Sequence, residues 1–213
     1  MNYAELVTAV QDYTANDDAT FVANIPNFIK AAEKRIYNAA ELPVKSFRAT
    51  SALAASNRFL TMPAEFLDVQ GLTRAAVGGT GAQEYLLQKE VSFIRECYPD
   101  PASTGAPKFF AIFDRNTLIL GPTPDAAYGV ELHYTAFPES IVTASTTWLG
   151  DFHENTLLYG GLVEAYTFMK GDEDVLKQYA SLMADGVAAL RKYASEDSQI
   201  DYYRLGKPQG APA

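Results

Sequence analysis

The stretch WLGDFHENTLLYGGLVEAYTFMKGDED, from Trp148 to Asp174, decides how the rest of the chain is read. It sets Asp151, His153 and Glu154 almost side by side and then runs into a helical apolar pattern. Leu157/Leu158, Gly161/Leu162, Ala165 and Phe168/Met169 recur at helical spacing, and Gly171 is a suitable stop. Two readings compete for the polar cluster. Metal ligands on a helix sit at i and i+4, so that both face one ion. Here Leu157 occupies the position where a partner for His153 belongs. As a helix start the cluster explains more: Asp151 caps the first free N–H groups, and Glu154 completes a capping-box-like pair. Both acids also favour the positive end of the helix dipole. The reading taken here is a helix cap at Asp151 and Glu154, with no catalytic, metal or cofactor site.

Downstream, Val175, Tyr179, Leu182, Gly186, Ala189 and Tyr193 alternate at spacings of four and three, the seam of a helix packed lengthwise on a neighbour. Gly171-Asp-Glu joins it to the preceding helix, which predicts an antiparallel hairpin. At the other end of the chain, Asn2 is an N-cap before Tyr3, Leu6, Val10 and Tyr13. A second helix follows a polar turn, with Asn24 as its cap and Pro26 in its first turn. Its stripe is Phe28, Ile29, Ala32, Ile36 and Ala39/Ala40, with Lys30, Glu33, Lys34 and Asn38 on the wetter side.

Between Ser46 and Pro138 the helical period gives way to short alternating runs. Strands are predicted at 59–62, 67–73, 84–87, 108–113 and 117–120, the last two joined by a hairpin at Asp114-Arg-Asn116. Val130, Leu132, Tyr134 and Ala136 alternate with Glu131, His133 and Thr135, marking a strand with one buried face. Residues 90–98 read as a short helix, in which Cys97 is expected to be a small buried residue. Gly78-Gly-Thr-Gly81 lacks the ending and context of a phosphate loop and reads as a loop tip.

The fold class is therefore α+β: an antiparallel helical bundle from the N- and C-terminal segments, interrupted by a β-rich insertion with a short helix, plus an extended C-terminal tail. The boundaries are 1–45 and 148–197 for the bundle, 46–147 for the insertion and 198–213 for the tail. Gly160-Gly161, inside a helix, costs up to about 1 kcal/mol per glycine against alanine, so a close helix or subunit contact is the motive assigned to it. In the tail, Ile200, Tyr202, Tyr203, Arg204 and Leu205 combine residue types favoured at interface hot spots, in a segment suited to folding or strand addition on a partner.

Composition narrows the function. A net charge of −9 with no basic stripe argues against holding nucleic acid, which requires phosphate neutralisation. No stretch of about 18 apolar residues is present to cross a membrane, and MNYAELVTAVQDY has no secretory pattern. The single cysteine cannot form an internal disulfide and points to a reducing compartment. The 13 Tyr and 12 Phe are equally compatible with a β-rich core and with interface use.

FVANIPNFIKAAEKRIY, KEVSFIRECYPDP, PKFFAIFDRNTLILGPTPDAAYGVELHY and TTWLGD with LLYGGLVEAYTFMKG resemble tailed-bacteriophage head-to-tail adaptor proteins in wording and order, from about Tyr3 to about Tyr193. The resemblance implies a ring, commonly of twelve copies, seated beneath the portal and above the tail's nozzle or tube protein. It implies DNA passing through the lumen without specific binding, a place at the head–tail junction of the virion, and synthesis in the bacterial cytoplasm. It also implies that the C-terminal extension, here Ile200 to Ala213, docks on the portal. Three other readings remain: a tail-tube or tail-completion protein; an enzyme using His153 and Glu154 for acid/base or metal chemistry; and a carbohydrate or small-molecule module using exposed aromatics.

Overall fold

The computed structural model describes residues 1–40, 42–63, 65–77 and 82–198; the loop tip at 78–81 and the tail from 199 onward lie outside them. The chain is mixed α+β. In chain order the helices are α1 Tyr3–Thr14, α2 Ala19–Ala39, α3 Val91–Cys97, α4 Ile141–Ala144, α5 Trp148–Phe152, α6 Glu154–Met169 and α7 Glu173–Ser198. The strands are β1 Ser46–Ala52, β2 Phe59–Thr61, β3 Phe66–Val77, β4 Glu84–Tyr85, β5 Leu87–Gln88, β6 Thr104–Gly105, β7 Phe109–Asp114, β8 Thr117–Gly121, β9 Thr123–Pro124 and β10 Tyr128–Ala136. They divide into two compact units, one of Met1–Val44 with the chain from Pro138 onward, the other of Lys45–Phe137.

In the helical unit, Asn2 caps α1 in a capping box: its side chain accepts the Glu5 N–H and the Glu5 carboxylate accepts the Asn2 N–H, both at 2.9 Å. For α2 the cap is Asp18, which accepts from Thr20 and Phe21 N–H (2.8 and 3.3 Å), so the helix begins before the position expected. Pro26 consequently lies inside the helix rather than in its first turn, and Asn24 caps nothing; its amide donates to the Thr20 carbonyl at 2.8 Å. An aspartate ahead of a run of helix-compatible residues outcompetes the later asparagine as a start signal. Phe21, Ile25, Phe28, Ile29, Ala32, Ile36 and Tyr37 form the buried face of α2, and Glu33 joins them, contrary to its expected place on the wetter side.

Helix α6 is apolar nearly all round, with Leu157, Leu158, Leu162, Val163 and Ala165 buried, and it packs against α1, α2 and α7. A helix covered on several sides has no wet face to preserve. Its C-terminus closes through Lys170, which adopts the left-handed conformation (φ 52°), while the Gly171 N–H donates to the Tyr166 carbonyl at 3.0 Å. The stop expected at Gly171 thus falls on Lys170. On α7 the buried side chains are Met183, Val187 and Leu190. The predicted seam is shifted: Leu182 and Tyr193 are 37% and 47% exposed, and Ala189 is exposed too. Apolar residues at adjacent positions satisfy either phase of a 4-3 pattern, and the contact with α6 selects one.

In the β unit, one sheet has the order β1-β10-β3-β4, a second β2-β8-β7-β5, and β6 pairs with β9. Leu72, Val130 and Leu132 of the first sheet share a core with Phe110, Leu118 and Leu120 of the second. Leu86, buried between β4 and β5, marks where the chain passes from one sheet to the other. On β10, Val130, Leu132 and Ala136 are buried while Glu131, His133 and Thr135 are partly exposed, the alternation of a strand with one core face. Helix α3 covers the outer face of the second sheet through Ile94, packed on Ala111 and Ile119. Cys97 is exposed, not buried, because this short helix buries Ile94 alone.

Candidate functional site

The segment from Pro138 to Gly161 gathers the residues that the sequence made suspicious. Residues 138–147, expected in the β insertion, belong with the helices. Ser140 caps α4, and Ile141 is fully buried. The Glu33 carboxylate of α2 reaches this turn: Ile141 N–H donates to Oε1 at 2.9 Å and the Ser140 hydroxyl donates to Oε2 at 2.5 Å. Glu33 is 3% exposed, and burial pushes its carboxyl above the usual range against the opposing pull of those two hydrogen bonds and of Lys30. The sequence reading missed this group. Its signal was spacing: position 33 falls one helical turn after Ile29, on the buried stripe.

Trp148 opens α5 in the helical unit. The cap expected at Asp151 is instead made by Thr147, whose hydroxyl accepts the Gly150 N–H at 3.3 Å. Asp151 is exposed in the first turn of α5. A break at His153 divides the expected helix in two, and α6 starts at Glu154 with no side-chain cap. Glu154 instead faces the Met1 amino group at 3.2 Å, and that group also donates to the Gly150 carbonyl at 2.7 Å. The Asp151/Glu154 capping pair is therefore corrected to a Thr147 cap and an N-terminal ion pair. The break at His153 is the physical reason, since it puts Asp151 within one helix and Glu154 at the start of the next.

The His153 ring lies 4.9 Å from the Trp148 ring, and burial lowers its pKa, which favours the neutral imidazole. The other histidine, His133, sits 2.8 Å from Glu131, which Arg48 approaches at 3.7 Å on the polar face of the first sheet. Among the described residues no group of three or more His, Cys, Asp or Glu is placed to share a metal ion. No described helix is long and apolar enough to cross a membrane.

The glycines of this region face neighbouring helices. A Cβ on Gly160 would stand 2.9 Å from the Ala32 Cβ of α2, and one on Gly161 would meet Val10 of α1 at an ordinary 3.8 Å. One turn earlier on α6, a Cβ on Gly186 of α7 would fall 2.2 Å from the Thr156 hydroxyl oxygen. Helices α2 and α7 thus come close to α6 at Gly160 and Thr156, and the glycines are what permit it. Tyr179 of α7 gathers the rings of Tyr13, Tyr159 and Tyr166 at 6.5, 6.1 and 5.3 Å. What the region supplies is a rigid helical scaffold with surface tyrosines. Ile200, Tyr202, Tyr203, Arg204 and Leu205 lie outside the described residues.

The family model described as SU10 adaptor protein matches residues 1–207, nearly the whole chain. No curated protein matches it.

Proposed function

This chain belongs to the SU10 adaptor protein family, and from that premise we propose that it forms an adaptor ring between the portal and the tail of a tailed bacteriophage. The family is a structural phage family, and the observation that carries the reading is the extent of the match, 1–207. The ring acts as conduit and assembly platform, and DNA crosses it without specific binding. Two features of the chain support this role. Its charge of −9 makes a repeated lumen repel the phosphate backbone, so that DNA slides rather than adheres. The close approaches of α6 to α2 at Gly160 and Ala32, and to α7 at Thr156 and Gly186, leave the helices little room to slide, as the wall of a channel requires.

Particles assembled without this protein test the role. DNA-filled heads that carry no tail are the expected product. Heads that keep a tail stump would instead assign the protein to tail completion.

A further inference from the structure

Helix α7 uses only part of its 4-3 repeat inside the helical unit. Tyr179 turns to α6, its ring 6.1 Å from Tyr159 and 5.3 Å from Tyr166, and Gly186 closes on Thr156 of the same helix. Leu182, Ala189 and Tyr193 belong to the same repeat and are exposed. At its far end this row runs on into α5: the Trp148 ring lies 5.9 Å from Tyr193 and 6.1 Å from Phe152, which is 71% exposed. An apolar row at the spacing of a helix seam, left exposed by its own unit, is a surface shaped for a second helix. Asp185, between Leu182 and Ala189, is exposed beside the row, and Lys192, next to Tyr193 in sequence, already makes an interaction of its own.

The reciprocal surface is on α2. Opposite its buried face stand Ala23, Asn27, Lys30, Ala31, Lys34 and Asn38, all exposed, with two cations and no acid among them. Short side chains on this face admit a bulky row at close range, while lysine stems cover aromatic rings and carry their ammonium groups to a carboxylate. The lengths match: Leu182 to Tyr193 and Asn27 to Asn38 each rise about 16 Å. The directions match as well. Helix α2 runs against α6, since Phe28 meets Phe168 and Ala32 meets Gly160. Helix α7 also runs against α6, with Tyr179 at Tyr166 and Gly186 at Thr156, so α2 and α7 are parallel. Arg191 joins their ends by donating to the Ala39 carbonyl at 2.7 Å. Neighbours in a ring of many copies differ by a small rotation, which keeps α7 of one copy close to parallel with α2 of the next.

We propose that in the assembled ring the Leu182, Ala189 and Tyr193 row of α7 packs on the lysine face of α2 in the next copy, with Asp185 facing Lys30 and Lys34. This contact rests on the ring reading and names the surfaces that close the ring. Charge selects it over the symmetric pairings: α7 on α7 brings Asp185 towards its own copy, and α2 on α2 brings lysine towards lysine. Two different surfaces in contact make a head-to-tail step, which repeats around a ring.

Two charge-reversed chains test it by imaging after each is mixed with the portal: Asp185→Lys, and Lys30→Glu combined with Lys34→Glu. All three positions are exposed, and thermal denaturation close to that of the wild type checks that each variant folds. Either chain alone sets like charges across every contact, so portals bearing a ring fall at least about tenfold in number. An equal mixture restores them, because alternating copies again put opposite charges across every contact. Neither chain carries both changes, so compensation within one copy does not produce the rescue. Leu182→Arg adds a cation to the row without touching α2, and it lowers ring numbers to the same extent. Variants that ring as the wild type does, or a loss that the mixture leaves unrepaired, overturn this contact while the ring reading stands. A wild type that forms no ring on the portal overturns both.

Discussion

Gly160 of α6 faces Ala32 of α2 so closely that a Cβ on the glycine would stand 2.9 Å from the alanine Cβ. The pair fixes the separation of two of the helices that build the core of the helical unit. Gly160→Ala forces the backbones apart, a cost of about 1–3 kcal/mol that exceeds the roughly 1 kcal/mol gained in helix propensity. Gly161→Ala meets Val10 at 3.8 Å and keeps that gain. Urea unfolding of the two variants should therefore move in opposite directions, and equal shifts would remove the close-contact argument.

Gly186 makes the tighter of the two approaches, because its added Cβ overlaps the Thr156 hydroxyl. Gly186→Ala is expected to lower stability by at least about 2 kcal/mol. Adding Thr156→Ala deletes the overlapping atoms and recovers part of the loss. A double-mutant cycle measures this coupling; additive losses would mean that the two residues do not meet.

Glu33 provides a pH signature. Its pKa is raised in the folded protein by burial, above the ordinary value of 4.5. The stability it contributes is therefore fully present below that value and is lost as pH rises through the folded pKa. Glu33→Gln keeps an acceptor for the Ile141 N–H and a partner for Ser140 while removing the titration. The gain of Gln over Glu should grow as pH rises from about 4.5 and then level off. Glu33→Leu leaves both donors without an acceptor and costs about 1–3 kcal/mol. Chemical unfolding across a pH series distinguishes these; a Gln–Glu difference that stays flat contradicts the assignment.

The phase of α7 is tested by two neighbouring substitutions. Met183 is 6% exposed and Leu182 37%. Met183→Asp buries an unpaired charge and should unfold the helical unit or cost several kcal/mol. Leu182→Asp should fall within about 1 kcal/mol of wild type. The reverse order in thermal denaturation would restore the seam predicted from spacing.

Much of the architecture was legible because it rests on local signals. The Asn2 cap, the alternation along Val130 to Ala136, and the Asp114-Arg-Asn116 turn between β7 and β8 each follow from a few adjacent residues. The misreadings arise where a distant contact decides between locally equal choices. Asp151 and Glu154 have the right spacing for a cap, yet the break at His153, whose ring is tilted against Trp148, separates them. Leu182 and Met183 satisfy the same pattern, and packing on α6 picks Met183. Glu33 looks like a surface acid until Ser140 and Ile141, more than a hundred residues away, arrive as its partners. Strand β1 was invisible for a different reason: Ser46 to Ala52 carries little apolar alternation, and five of its seven residues are exposed.

Imaging of the protein mixed with its own portal tests the central claim most directly. The account predicts a closed ring of this chain seated on one end of the portal, coaxial with its channel. Portals left bare beside free protein, or a chain that binds only to tail assemblies, would contradict it.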